Sequence, residues 1–221
     1  MANETIRVLI VEDHPIFRMG LKELINAQKD MEVCGEAEDL NSARRSIAEN
    51  PPQMIILDLS LKESSGLELI KELNARKPRI PVLVLSMHDE SVHAERCISA
   101  GAKGYIMKQE ATLSVIKAIR HILDGHCYVS ERIMTRLLNR MRRPDEPLPK
   151  SPIDHLTDRE LEIFQLIGQG YSPSKIARKL HLSVKTVGAH KERIKEKLHI
   201  SDGGELIRLA ILTSENGSGP R

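Results

Sequence analysis

The sequence predicts an α/β chain in two parts: a doubly wound, five-stranded parallel α/β sandwich, then a small all-α unit of four helices. Three observations predict it. Short apolar runs rich in β-branched residues alternate with amphipathic stretches of helical spacing across residues 1–128. Pro144, Pro147, Pro149 and Pro152 then crowd one segment, which can be neither a regular helix nor a central strand. Beyond them every apolar pattern repeats with the period of a helix.

The elements follow in order. Ile6–Val11 and residues 54–57, 82–85 and 104–107 are nearly continuous apolar runs, as strands covered on both faces require. Residues 32–37 form a weaker one. Between them, Ile16, Met19, Leu21, Leu24 and Ile25 mark a first helix and Leu67, Leu69, Ile70 and Leu73 a third. Leu113, Ile116, Ile119, Ile122 and Leu123 mark a fifth, and right-handed crossovers leave few topologies. Residues 130–141 look helical, either capping the first domain or leading into an extended linker. In the second part Thr157 is a good N-cap, with Glu160 at the capping-box position and Leu161, Phe164, Leu166 and Ile167 lining the helix. Ser172-Pro173 opens a short helix with Ile176, Ala177 and Leu180 inward. Ser183 caps a third carrying Val184, Val187, Ile194 and Leu198, and a fourth covers about residues 204–212. The expected boundaries are therefore 1–128 for the sandwich, 129–152 for a helical and proline-rich linker, 153–214 for the helical domain and 215–221 for a disordered tail.

Composition excludes several classes. Aromatics are 2% of the 221 residues and Trp is absent, so the cores must be aliphatic. Cys34, Cys97 and Cys127 are scattered, without the spacing of a zinc site or a disulfide framework, so reduced thiols are expected. No signal core and no run of about 18 apolar residues is found, so a cytoplasmic protein with no membrane partner is expected. Net charge is only +2, but residues 175–197 carry eight Lys or Arg and two acids. That local excess points to a polyanion site; a solvated helix face is the plain alternative.

In an open parallel sheet, ligands bind at the carboxyl ends of the strands. Those ends here carry Glu12-Asp13, Asp58, Ser86 and Lys108. Three clustered carboxylates repel unless a cation sits among them, and hard oxygen donors with room for water suit Mg2+. The Ser60 backbone carbonyl is placed to complete the metal shell. A central carboxylate can attack phosphorus to give an aspartyl phosphate, with Lys108 pairing its oxygens and the Ser86 hydroxyl donating to it. Asp58, from the middle strand, is the nucleophile candidate. Singly, each of these is an ordinary loop or surface residue; the joint pattern is what carries the reading.

Residues 8–14, 55–59, Leu85-Ser86 and 100–108 resemble the receiver domain of response regulators. The resemblance implies a flavodoxin-like (βα)5 fold, phosphoryl transfer from a sensor histidine kinase onto Asp58, and switch roles for Ser86 and Tyr105. Many receivers have proline after the lysine; here Gln109 follows, so a cis peptide is not expected.

Ile176 to Leu180, a turn, and the helix after Ser183 form a helix-turn-helix that can present its last helix to the major groove. Its outer face carries Lys185, Gly188, Ala189 and Glu192, flanked by Lys191, Arg193, Lys195 and Lys197, which can reach phosphates. A helical protein-interaction module is the alternative. Residues 156–162, 175–180 and 183–187, with His190 and Lys197-Leu198, resemble the LuxR-type helix-turn-helix. A receiver with this output domain is similar to the NarL/FixJ class of response regulators. The resemblance implies a transcription regulator, not an enzyme beyond slow self-dephosphorylation, that dimerises on phosphorylation and binds promoter DNA. Lys175, Ser183, Lys185, Thr186, Ala189, His190, Lys191 and Arg193 are its expected DNA contacts. Gly188 departs by leaving the recognition helix without a side chain where relatives read bases, and Glu192 by being acidic there. A haloacid dehalogenase type of phosphatase is the rival reading, but it needs a second Asp two residues beyond the nucleophile on the first strand. A degenerate receiver is the other, and the complete acidic set argues against it.

Overall fold

The computed structural model describes residues 5–59, 61, 66–76, 79–87, 90–142, 153, 156–180 and 182–217. The chain divides into two compact units, Met1–Arg142 and Arg143–Arg221.

In the first unit β1 (Ile6–Val11), β2 (Met31–Ala37), β3 (Met54–Asp58), β4 (Val82–Ser86) and β5 (Gly104–Met107) form one sheet in the order β2-β1-β3-β4-β5. All its ladders are parallel. Helices α1 (Pro15–Asn26), α2 (Leu40–Glu49), α3 (Gly66–Ala75), α4 (Glu90–Ala100) and α5 (Ala111–Leu123) make the crossovers and follow β5. Strand alternation sorts the apolar residues into two cores. Leu9, Val11, Ile55, Leu57, Val82 and Val84 point to one face, beneath α2, α3 and α4. Val8, Ile10, Met54, Ile56, Leu83, Leu85 and Ile106 point to the other, beneath α1 and α5. With both faces covered, the strands can be almost wholly apolar. The three cysteines are free thiols.

Several expectations need correction. Ile16, Met19 and Leu113 belong to the helical pattern but are 83%, 60% and 89% exposed. The α1 stripe that meets the sheet is Phe17, Leu21, Leu24 and Ile25, and Ile16 and Met19 lie across the helix from it. Leu113 likewise lies opposite the buried Ala111, Val115, Ala118 and Ile122. Of the two roles open to residues 130–141, α6 (Glu131–Arg142) takes the first. Ile133 is fully buried in the core under α4, Leu137 packs beside it, and Ser130 Oγ donates to Glu90 Oε1 at 2.7 Å. The proline-rich stretch 143–152 and His181 lie outside the described residues.

The second unit contains α7 (Asp158–Gly168), α8 (Pro173–Lys179), α9 (Val184–Leu198) and α10 (Gly203–Gly217). The capping box is present as read: Glu160 N–H donates to Thr157 Oγ1 at 3.3 Å and Thr157 N–H to Glu160 Oε2 at 2.8 Å. Pro173 starts α8 behind the Ser172 cap. A Cβ on Gly168 would lie 2.4 Å from the Ala210 carbonyl oxygen, so glycine is what lets α7 and α10 approach. Val187, Ile194 and Leu198 turn α9 to the core, while Val184, at its first residue, falls outside that stripe and is 51% exposed. The last helix continues to Gly217, so residues 215–217 are helical rather than tail.

Candidate functional site

The parallel register brings the strand ends to one rim. Val11 pairs with Leu57, Asp58 with Leu85 and Ser86 with Met107. Glu12 and Asp13 leave β1 at that level, and Lys108 leaves β5 there in a short 3-10 turn. The side chains converge. Lys108 Nζ lies 2.8 Å from Asp58 Oδ2 and 2.6 Å from Glu12 Oε2. One oxygen each from Glu12, Asp13 and Asp58 and a ring nitrogen of His14 all lie within 4.8 Å of one another. Glu12, Asp13, Asp58, Ser86 and Lys108 are all buried.

Burial alone would push the Lys108 amine toward neutrality. The adjacent Asp58 and Glu12 carboxylates outweigh it and hold the pKa above the ordinary lysine value, so the group is an ammonium. Its charge also sits 4.8 Å above the Phe17 ring centroid. Three carboxylates and one ammonium leave two formal negative charges in excess among side chains that are themselves buried. That excess, and the hard oxygen donors that carry it, fit a divalent cation.

Tyr105 lies inward in the core of the α4 face, and its N–H donates to the Tyr128 carbonyl at 2.9 Å. Ser60, expected to lend a carbonyl, lies outside the described residues. Three features of the pocket escaped the sequence reading. The exposed His14 ring faces Glu12 and Asp13 at 3.1 and 2.9 Å. Phe17 supports Lys108. A Cβ on Gly66 would lie 2.9 Å from the Asp58 carbonyl oxygen, so α3 can start against the Asp58 backbone only with glycine there. Nothing in strand periodicity signals them, because His14 reaches the pocket from the cap of α1 and Phe17 and Gly66 from helices.

In the second unit Ser183 caps α9, accepting from the Thr186 N–H at 3.0 Å, and the two hydroxyls bond at 2.7 Å. These residues fix where the helix starts. Lys175, Lys185, Ala189 and Arg193 are exposed, and Lys191 is partly so. His190 differs: its Nδ1 is buried without a hydrogen-bond partner, and burial, with Arg193 nearby, lowers its pKa, favouring the neutral ring. Two flanking lysines are already engaged. Lys197 Nζ lies 2.6 Å from Glu160 Oε2, and Lys195 Nζ 2.7 Å from Glu192 Oε2. The acid at 192 therefore has a cation of its own helix beside it. A Cβ on Gly188 would meet nothing within 4 Å, so the helix surface is open there.

Comparisons with known proteins agree with both halves. Residues 8–120 match the response regulator receiver domain, and residues 154–210 match the luxR family of bacterial regulatory proteins. The chain is 35% identical over 210 residues to the oxygen regulatory protein NreC of Staphylococcus haemolyticus, covering 93% of this chain and 97% of that protein. Among solved structures it is similar to the RcsB response regulator of Salmonella typhimurium, in a structure concerned with its conformational dynamism for DNA interaction. That match has 25% identity and a TM-score of 0.54 over 93% of this chain and 98% of the other. An RcsB–DNA complex matches at 25% identity and a TM-score of 0.55, over 93% and 97% of the two chains.

Proposed function

The chain belongs to the NarL/FixJ class of response regulators, a receiver domain with a LuxR-type DNA-binding domain, and from that premise we propose that Asp58 is its phosphoacceptor. The protein is a two-component, DNA-binding response regulator: a transcription regulator rather than a metabolic enzyme. The observation that supports Asp58 is its place, buried at the end of the central strand with the Lys108 ammonium 2.8 Å from Oδ2 and the acid pair beside it.

The chemistry follows from those positions. An Asp58 oxygen attacks the phosphorus of a phosphohistidine on a sensor histidine kinase. The P–O bond forms as the P–N bond breaks, and the departing imidazole takes up a proton from water. Lys108 keeps its proton through the step and offers its N–H groups to the phosphoryl oxygens. Ser86 ends the strand beside that of Asp58, and we assign its hydroxyl to donate to the same group and the buried Tyr105 on β5 to repack when Ser86 moves. Glu12, Asp13 and Asp58, with the Ser60 carbonyl, are the residues that would hold Mg2+, which offsets charge on the transferring phosphoryl group. Slow hydrolysis of the aspartyl phosphate resets the switch.

The output is promoter binding through α9. Relatives described in complex with DNA support this use of the second unit. Lys185 and Ala189 are assigned to the major groove and Lys175, Lys191 and Arg193 to phosphates, with Ser183 and Thr186 presenting the start of the helix. His190 packs against the domain and orients that face. Phosphorylation favours a homodimer matched to a two-fold DNA site. No described helix is long and apolar enough to cross a membrane, and we assign the regulator to the cytoplasm.

The test is intact mass after incubation with Mg2+ and a small acyl phosphate. Wild type should gain one phosphoryl group and Asp58→Asn none. Equal uptake by both would place the acceptor elsewhere.

A further inference from the structure

Arg18 lies outside the chemistry assigned above, yet it is fastened to it. It sits on the second turn of α1 with its side chain 13% exposed. Its Nη1 donates to the backbone carbonyl of Glu12 at 2.6 Å. The rest of the fork reaches the end of β2 and the residue beyond it: Nη2 donates to Glu38 Oε1 at 2.9 Å and Nε to Glu36 Oε2 at 3.3 Å. Lys22 Nζ, one turn further along α1, holds Glu36 from the other side at 2.6 Å. The Glu12 N–H in turn donates to the Ala37 carbonyl at 2.9 Å. The backbone of Glu12 is thus clamped on both sides, by β2 at its nitrogen and by a guanidinium at its oxygen. Glu12 and the Asp13 that follows are two of the three clustered carboxylates. A planar guanidinium can serve three acceptors in fixed directions; an ammonium cannot.

We propose that Arg18 is a positioning residue for the acidic pair: by fixing the Glu12 carbonyl it aims the Glu12 and Asp13 carboxylates and sets the affinity of the pocket for a divalent cation. The proposal rests on reading the pocket as a Mg2+-assisted phosphoacceptor site. A purely electrostatic role predicts the opposite sign, because removing a nearby positive charge tightens cation binding. A purely structural tie between α1 and β2 predicts lower stability with unchanged affinity.

Mg2+ binding is measured by calorimetry on the full chain for wild type, Arg18→Met, Arg18→Lys and the double variant Glu36→Gln/Glu38→Gln. Arg18→Met should bind Mg2+ about tenfold more weakly, the low end for lost outer-shell partners. It should need correspondingly more Mg2+ for half-maximal phosphoryl uptake from an acyl phosphate, with the rate at saturating Mg2+ unchanged. Arg18→Lys should recover part of the affinity. The double variant keeps Arg18 but loosens its fork and also removes two negative charges, so its loss is read against Arg18→Lys. Arg18→Lys changes no formal charge, so its binding below wild type is a loss of geometry alone, and it decides the matter if Arg18→Met does not fold. Unchanged or tighter Mg2+ binding in the folded variants would overturn the proposal, as would a lower saturating rate at unchanged affinity. A wild type that binds Mg2+ but takes no phosphoryl group would sink the phosphoacceptor reading, while the calorimetry would still decide the role of Arg18.

Discussion

At the residue scale, Lys108 is the group whose charge its neighbours decide, and the sign of its pH dependence follows. Asp58 and Glu12 raise its folded pKa above the ordinary value despite burial. A raised pKa contributes stability that is fully present below the unfolded value of about 10.4 and is lost as pH rises through the folded one. Denaturant midpoints of the first unit should therefore fall more steeply on the alkaline side in wild type than in Lys108→Met. Parallel slopes would contradict the pairing. Gly188 offers a second check. It lies inside α9 with open space where a Cβ would be. Gly188→Ala should stabilise the second unit by about 1 kcal/mol, raising its unfolding temperature by roughly 4–8 °C. A drop would mean that the backbone there is not relaxed helix. Glu12, Asp13, Asp58 and Lys108 were legible because a residue at the end of a parallel strand has only one place to be. His14, Phe17, Arg18 and Gly66 were not, because their contacts depend on how α1 and α3 fold back over the rim. His190 shows the same limit in the second unit: its motif position was readable, but its buried Nδ1 depends on how α9 packs.

At the element scale, the sheet was the most legible part, since its apolar runs are long enough to demand cover on both faces. The helices were legible as helices but not in phase. Ile16, Met19, Leu113 and Val184 fit a helical spacing, yet lie off the stripe that meets the core. Periodicity counts apolar positions; tertiary packing selects which of them face in. The α6 helix makes the point most sharply, for its pattern was visible while its seat, under α4, was set by residues far away in sequence. Ile133 fills that seat at 0% exposure. Ile133→Ala should cost the first unit about 2–5 kcal/mol through lost burial and a residual cavity, read as a lower denaturant midpoint. A change below about 0.5 kcal/mol, typical of surface positions, would mean that α6 is not docked in solution.

At the scale of the whole molecule, two units with separate cores are joined by one stretch of chain, and regulation requires that chemistry in one change binding in the other. Such coupling is a free energy shared by two ligands, and it is reciprocal. Beryllofluoride, which attaches reversibly to an aspartate as a phosphoryl mimic, makes both sides measurable at equilibrium. If it tightens promoter binding by some factor, the promoter must tighten beryllofluoride binding by the same factor, within about 5–150-fold for couplings of 1–3 kcal/mol. Dimerisation is one physical route, because a dimer meets two half-sites and roughly doubles the phosphates contacted. The slope of log affinity against log salt should then steepen on beryllofluoride treatment in wild type and stay shallow in Asp58→Asn. A coupling factor above one with no change in slope would show instead that the signal exposes or reorients α9 within a unit already bound as before. No coupling in either direction would mean that the receiver does not control this DNA-binding domain through Asp58.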